Sequence, residues 1–347
     1  MRSGVVWIQD PVVQRQLETV DHLVGDIARR GVRCPPFHAQ LLSGRSKRLR
    51  SALLLLAGRI GNAAPERALL AAASGIELVH EATLYHDDIV DEAPTRRGQP
   101  SVQFACGAAT AAFAGTELLF ATGELFADLP PSLRRAIGHA SNRLCRGQLR
   151  ELEMLGDLDA TVRDRLRVMR DKTATLFALA ARLGATLGGS DRHITQQLVR
   201  FGTRFGLCFQ LADDLRDLVA PAAVLGRQLG ADLRDGVYTL PVLYALRLPG
   251  ADAQQLRRWL LRLQRHHDEV LISRALGLLV RTSGMSQARA TLGSWIASAR
   301  SDIDTLPVDV KDGTRQSLHA LLQRLLVGVD ETQFTGTPVN PRSADSR

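Results

Sequence analysis

Aromatic residues make up only 5% of this 347-residue chain. The few present are scarcely interleaved with the basic residues, so the pattern contains no stacking platform for nucleic-acid bases. Cysteine is almost as rare: Cys34, Cys106, Cys145 and Cys208 stand far apart, in no Cys-x-x-Cys pairing. That spacing argues against a disulfide framework or a zinc knuckle and leaves reduced, packed thiols. No apolar stretch approaches about 18 residues without a charge, so no transmembrane helix is expected. The Met1-Arg2-Ser3-Gly4 start lacks a signal-peptide core, and a cytoplasmic protein is expected. Long β-branched runs are missing as well. The 45% apolar content is rich in Leu and Ala instead, which favours helices with few or no strands.

What is present begins with charge: 44 Lys and Arg against 36 Asp and Glu give a formal +8. The basic residues are dispersed, so no nucleic-acid partner is expected. An anionic small substrate, or transient contact with an anionic membrane surface, accounts for the balance equally well. One large domain over 1–331 is expected, followed by a disordered tail at 332–347 that is rich in Thr, Pro, Asn and Ser. Helical periodicity marks 11–30, a helix beginning near Arg48, and 65–93. It continues at 108–128, 131–157, 160–187, 192–219, 239–247, 252–265, 268–282, 285–302 and 311–328.

The same acidic pattern occurs twice, as Asp87-Asp88-Ile89-Val90-Asp91 and as Asp213-Asp214-Leu215-Arg216-Asp217. On a helix, positions i and i+4 stack on one face about 5–6 Å apart, so each pattern aims its first and last carboxylates at one point. Such a cluster repels itself unless a cation sits between its members. Two of them suit hard divalent ions shared with a phosphorylated ligand.

These residues come in a longer ordered series that resembles the trans-isoprenyl (polyprenyl) diphosphate synthases. Lys47-Arg48-Leu49-Arg50 is similar to that family's Gly-Lys-Arg-Leu-Arg segment, and His80 to a histidine on its first acidic helix. Arg96-Arg97-Gly98 follows the first acid motif, and Gly147-Gln148, Lys172-Thr173 and Phe209-Gln210 come in order after it. Leu225-Gly226-Arg227, Gly230-Ala231-Asp232-Leu233 and Thr239-Leu240-Pro241 complete the series.

The resemblance implies an all-α isoprenoid synthase bundle around a central apolar cavity, with both acid motifs at its mouth. It implies all-trans polyprenyl diphosphate synthesis, in which isopentenyl diphosphate is added repeatedly to an allylic diphosphate and pyrophosphate is released. Asp87, Asp88, Asp91, Asp213, Asp214 and Asp217 would hold or orient about three Mg²⁺ ions. Arg96, Lys172 and Arg227 would surround the allylic diphosphate, while Lys47, Arg50, His80 and Arg97 would form a metal-free pocket for isopentenyl diphosphate. Gln210 and Thr173 would face the allylic cation, and the released pyrophosphate would accept the eliminated proton. Ala82 and Thr83, small residues one turn before Asp87, imply a product of at least C20, with C30 to C50 expected.

The chain also departs from the pattern. Arg227 stands in place of a frequent lysine, Gly236-Val237 in place of Gly-Lys, and Arg45-Ser46 in place of glycines. A homodimer is expected, since most members of the family form one. Two alternatives stay open: a class I terpene cyclase, and a low-activity regulatory subunit of a heteromeric synthase.

Overall fold

The computed structural model describes residues 8–30, 48–61, 65–219, 229–266, 268–307, 310 and 312–326. Lys47, Arg227, Cys34 and the tail at 332–347 lie outside the described residues, as do Arg45 and Ser46.

The chain builds a bundle of helices: α1 (Pro11–Arg30), α2 (Leu49–Gly58), α3 (Glu66–Val90), α4 (Val102–Cys106), α5 (Ala108–Phe126) and α6 (Pro131–Glu153). A single long rod follows, made of α7 (Val162–Val168), a π-helical turn (Met169–Ala174) and α8 (Thr175–Leu187). Then come α9 (Arg192–Val219), α10 (Ala231–Arg234), α11 (Leu240–Leu246), α12 (Ala251–Leu263), α13 (Glu269–Arg281), α14 (Ser283–Asp304) and α15 (Asp312–Gln323). Among the described residues the sheet content is one antiparallel hairpin, β1 (Thr95–Arg96) with β2 (Gln99–Pro100), in which Thr95 pairs with Pro100 and Arg96 with Gln99.

Helix α2 reads Leu-Arg-Ser-Ala-Leu-Leu-Leu-Leu-Ala-Gly and is buried on nearly every side, which makes it a central helix and not an amphipathic one. It packs against α3 and α8, while α3 packs along α5 and α8 along α9. Asp268 caps α13 by accepting the Leu271 N–H at 3.0 Å, and Thr161 with Asp164 forms a reciprocal capping box at the start of α7.

The acid motifs end up where two of the bundle's longest helices run out. Helix α3 stops at Val90 with Asp91 as its cap, and α9 stops at Val219. Glu92, with φ of 48°, closes α3. In the hairpin that follows, Arg97 (φ 53°) and Gly98 (φ 74°) occupy the two central positions, where a tight turn that matches strand twist needs positive φ. Arg48, at the start of α2, is the third non-glycine residue in this region of backbone space. All three flank the acid and arginine clusters described next, in keeping with the tendency of backbone strain to collect at functional sites.

Candidate active site

The six motif aspartates divide into two sets. Asp88, Asp214 and Asp217 point inward and are at most 1% exposed. Asp87 and Asp91 keep contact with solvent, and the Asp213 side chain is 51% exposed. Each inward carboxylate has its own partner. Arg96 donates from Nε to Asp88 Oδ1 at 2.7 Å. Gln210 donates from Nε2 to Asp214 Oδ1 at 2.8 Å. Asp217 accepts the Ala231 N–H at 3.3 Å and the Asp232 N–H at 3.1 Å, which makes it the cap of α10. Three carboxylates, Asp87, Asp91 and Asp213, thus face outward and three anchor the helix ends; Asp217, expected to aim at one point with Asp213, is turned inward by the α10 backbone.

No three His, Cys, Asp or Glu side chains among the described residues already converge as a metal cage. What the site offers is carboxylate oxygen held at a raised proton affinity. Burial pushes the Asp87 carboxyl upward against the pull of Lys172 and Arg96. Asp91, despite its solvent contact, is pushed up to about 6 by desolvation from the surrounding walls and by repulsion from Asp87. Asp214 rises to about 6 through burial, only partly offset by Arg165 and Gln210. Asp88 Oδ2 and Asp214 Oδ2 are buried without a hydrogen-bond partner. A hard divalent cation fits this all-oxygen, under-compensated set.

Lys172 stands beside the first motif. Its ammonium is 4.0 Å from Asp87 Oδ1 and donates to Glu151 on α6. The Lys172–Glu151 pair is partly buried, and Asp171, next to Lys172 in sequence, pairs with Arg143 and Arg150 instead.

The backbone explains how Lys172 is placed. The π turn carries Lys172 and Thr173, and the Thr175 hydroxyl donates to the Arg170 carbonyl at 3.0 Å, reaching back across the widened turn. A Cβ on Gly147 would lie 2.5 Å from the Lys172 nitrogen, and one on Gly206 would lie 2.5 Å from Ala174 Cα. Two glycines on opposite sides therefore let α6 and α9 close directly onto the π turn, a helix defect often found at functional sites. Thr173 then donates from its hydroxyl to Gln210 Oε1 at 2.7 Å, so Thr173, Gln210 and Asp214 form one hydrogen-bonded line.

A second cluster lies one to three turns earlier on α3. Arg97 makes a two-pronged pair with Glu81 at 2.9 and 3.2 Å. Arg48 is buried and pairs with Asp21 at 2.7 Å and Glu77 at 3.4 Å. It is a structural arginine, and Glu77 also accepts from the Ser51 hydroxyl at 2.8 Å and the Ser51 N–H at 3.0 Å. Arg50 lies over the Phe177 ring at 4.5 Å, and its Nε has no partner. Burial pulls Arg50 down to about 10, which leaves it charged. His80 sits among these cations, and burial followed by repulsion from Arg50, Arg97, Arg96 and Arg48 drives it well below the usual histidine range. It is a neutral imidazole.

Ala82 is fully buried. Thr83 is half-buried, and its hydroxyl donates to the His80 carbonyl at 2.7 Å. Of the phenylalanines on α5, Phe126 packs onto α3, where a Cβ on Gly75 would meet its ring at 2.3 Å. Phe113 and Phe120 face outward at 76% and 77% exposure. Val237, where the resemblance has a lysine, borders a cleft of about 220 Å³ with Asp91, Gln148, Glu151 and Asp235. Glu81, Glu151 and Arg165 are site residues that the motif pattern alone does not single out.

A helical bundle that links two aspartate-rich helix ends through Lys172, Glu151 and Arg165, beside an arginine and histidine cluster, has the architecture of an enzyme that handles two anionic groups at once. The polyprenyl synthetase model matches residues 36–278, and the chain belongs to that family. Members of the family are prenyltransferases, and their substrates are isopentenyl diphosphate and an allylic diphosphate. The chain is 34% identical to nonaprenyl diphosphate synthase of Mycobacterium tuberculosis over 322 residues, covering 93% of this chain and 91% of the relative. It is 30% identical to heptaprenyl diphosphate synthase component 2 of Geobacillus stearothermophilus, covering 80% and 85%. A polyprenyl synthase from Caulobacter crescentus, solved with calcium and isoprenyl diphosphate, superposes with a TM-score of 0.84 at 26% identity, covering 94% of this chain and 98% of that one. No helix among the described residues is long and apolar enough to cross a membrane.

Proposed function

We propose that this chain is an Mg²⁺-dependent all-trans polyprenyl diphosphate synthase whose two diphosphate sites are the two clusters described above. The observation that carries the assignment is their separation. Outward carboxylates and Lys172 gather at the helix ends, whereas Arg50, Arg97 and neutral His80 gather around Glu77 and Glu81, with Arg97 in a two-pronged pair with Glu81 while it also acts on Asp88.

On this reading Asp87, Asp91 and Asp213 would hold the metal ions. Bound Mg²⁺ would neutralise charge developing on the allylic pyrophosphate as it leaves. Asp88, Asp214 and Asp217 would keep the helix ends in place through Arg96, Gln210 and the α10 backbone. Lys172 and Arg96, with Arg227, would add fixed positive charge to the allylic diphosphate. Gln210 and Thr173 would turn their dipoles toward the allylic carbon. Arg50, Arg97 and His80, with Lys47, would bind isopentenyl diphosphate where no metal assists ionisation of its C–O bond. A neutral His80 suits this pocket, since it can donate one hydrogen bond without adding a fifth charge to four arginines.

The small Ala82 and Thr83 support a product of at least C20, with C30 to C50 expected, in line with the names of the nonaprenyl and heptaprenyl relatives. Phe113 and Phe120, seven residues apart on one face of α5, support a homodimer closed over that face. The "component 2" in one relative's name makes a second, different chain the other possible partner. A cytoplasmic location, transient membrane contact at product release, and one domain over 1–331 with a disordered tail belong to the same proposal.

The deciding experiment incubates the purified protein with Mg²⁺, isopentenyl diphosphate and C5 to C20 allylic primers, sizes the products by mass spectrometry, and measures the molar mass in solution. Chains of C30 to C50 from a dimer are expected. A monomer that gives no product until a partner chain is added would replace the homodimeric reading with a heteromeric one.

A further inference from the structure

Charges of alternating sign run without a break from the first acid motif to the second. Asp87 lies 4.0 Å from Lys172, and Lys172 donates to Glu151. The other oxygen of Glu151 accepts from Arg165 Nη1 at 2.7 Å, and Arg165 Nη2 is 3.7 Å from Asp214 Oδ1. Arg165 is the only link in this series supplied by α7, and its side chain is 5% exposed. It is thus shielded from any substrate.

Burying a guanidinium between two carboxylates contributes little net stability, because desolvation offsets much of the attraction. Removing one member, however, leaves the others uncompensated. Asp214 already carries one oxygen without a partner, and Arg165 Nε has none either. The arrangement therefore has orientation as its main product. Arg165 is held at one end by the capping box of Thr161 and Asp164, and at the other by the π turn that carries Lys172. A shift of its fork would move Glu151 and Asp214 together.

We propose that Arg165 is a positioning residue that keeps the two aspartate-rich motifs in register. It acts through Glu151 on Lys172 and through Asp214 on the second motif, and does not touch the diphosphate itself. This rests on the reading of both motifs as metal-holding, so the test carries a control for that reading.

Arg165→Met, Arg165→Lys, Glu151→Gln, the double variant Arg165→Met/Glu151→Gln and the control Asp213→Ala are compared with the natural chain. The readouts are kcat, KM for each substrate, melting temperature, and Mn²⁺ affinity in the presence of inorganic pyrophosphate, followed by electron paramagnetic resonance. Arg165→Met should lower kcat on the order of 10²-fold, comparable to losing one preorganised electrostatic contact. It should also weaken Mn²⁺ binding by about tenfold or more while KM for isopentenyl diphosphate stays within about twofold. Arg165→Lys keeps the charge and loses the fork, and should keep the melting temperature while losing about tenfold in kcat. Because Arg165 and Glu151 act along one line, the double variant should be hardly worse than the poorer single variant.

An Arg165→Lys enzyme with natural kcat and Mn²⁺ affinity would overturn the proposal, and so would single defects that multiply in the double variant. If Arg165→Met does not fold, the Lys variant decides alone. Natural Mn²⁺ affinity in Asp213→Ala would instead overturn the metal reading on which the proposal rests.

Discussion

Removal of Lys172 offers the sharpest test of the two-pocket arrangement. Its ammonium lies 4.0 Å from Asp87 and bonds Glu151, so Lys172→Ala deletes a cation that two carboxylates already share. A unit charge at that distance is worth about 4 kcal/mol at an effective dielectric near 20. The side chain is 30% exposed, and solvent screening leaves about 2–3 kcal/mol of it for a diphosphate in the same position. At about 1.4 kcal/mol per decade, kcat/KM for the allylic substrate should fall roughly 30- to 150-fold. The isopentenyl side should barely respond, because Arg50, Arg97 and His80 share no bond with Lys172. Steady-state kinetics that vary each substrate at saturating levels of the other would read both effects, and Arg50→Ala should give the mirror image, a raised KM for isopentenyl diphosphate. If Lys172→Ala raised mainly the isopentenyl KM, the pocket assignment would be reversed.

Three further outcomes are expected. Asp87→Ala or Asp91→Ala should reduce kcat on the order of 10³-fold with a native melting curve, and more than a tenth of natural activity at saturating Mg²⁺ would refute the metal assignment. Ala82→Phe puts a ring into a fully buried position and should shorten the dominant product by at least one C5 unit while primer is still consumed. The variant should lose about 1–3 kcal/mol of stability to overpacking, and an unchanged product distribution from a folded enzyme would move the floor toward Phe126. His80 is held neutral in the folded chain, so below its unfolded pKa of about 6.5 the unfolded state binds a proton that the folded state refuses. Stability should therefore be complete above pH 6.5 and fall by up to about 1.4 kcal/mol per pH unit below it, until the folded pKa is reached. Replacing His80 by Gln should remove that increment, and parallel melting curves for the two proteins from pH 7.5 to 5.5 would rule it out.

Much of this was legible in the sequence because long helices announce themselves through apolar spacing. The ranges 11–30 and 192–219 coincide with α1 and α9. Helix α3 stops before the expected 93, because Glu92 turns to positive φ and lets Asp91 cap the helix. The hairpin at Thr95–Pro100 is too short to show a period of two. Direction was harder to read than position. The i/i+4 spacing sets Asp87 and Asp91 on one face apart from Asp88, but which face turns inward depends on Arg96 and on the helix packed behind. Arg48, to which the motif gives no role of its own, has a positive φ that turns it back toward Asp21 and Glu77. Arg165 did leave a trace: it stands seven residues before Lys172, two turns away on the same helical stripe. What hides its role is that its partners come from α6 and α9, far off in sequence.

The clamp on the π turn bears on how such a protein can change. Lys172 and Thr173 are located by main chain pressed against main chain at Gly147 and, beside the Ala174 methyl and the Phe177 ring, at Gly206. One turn before Asp87, Ala82 also brings its carbonyl against Gly115, but the room beside Ala82 and Thr83 is set by the size of their side chains. On the proposed reading, substitution there would reshape the space for a growing hydrocarbon without moving the reacting charges, whereas one added methyl at either glycine would displace them. Product length and bond-forming chemistry would then answer to different parts of the chain, and selection could alter the first while the second stands still.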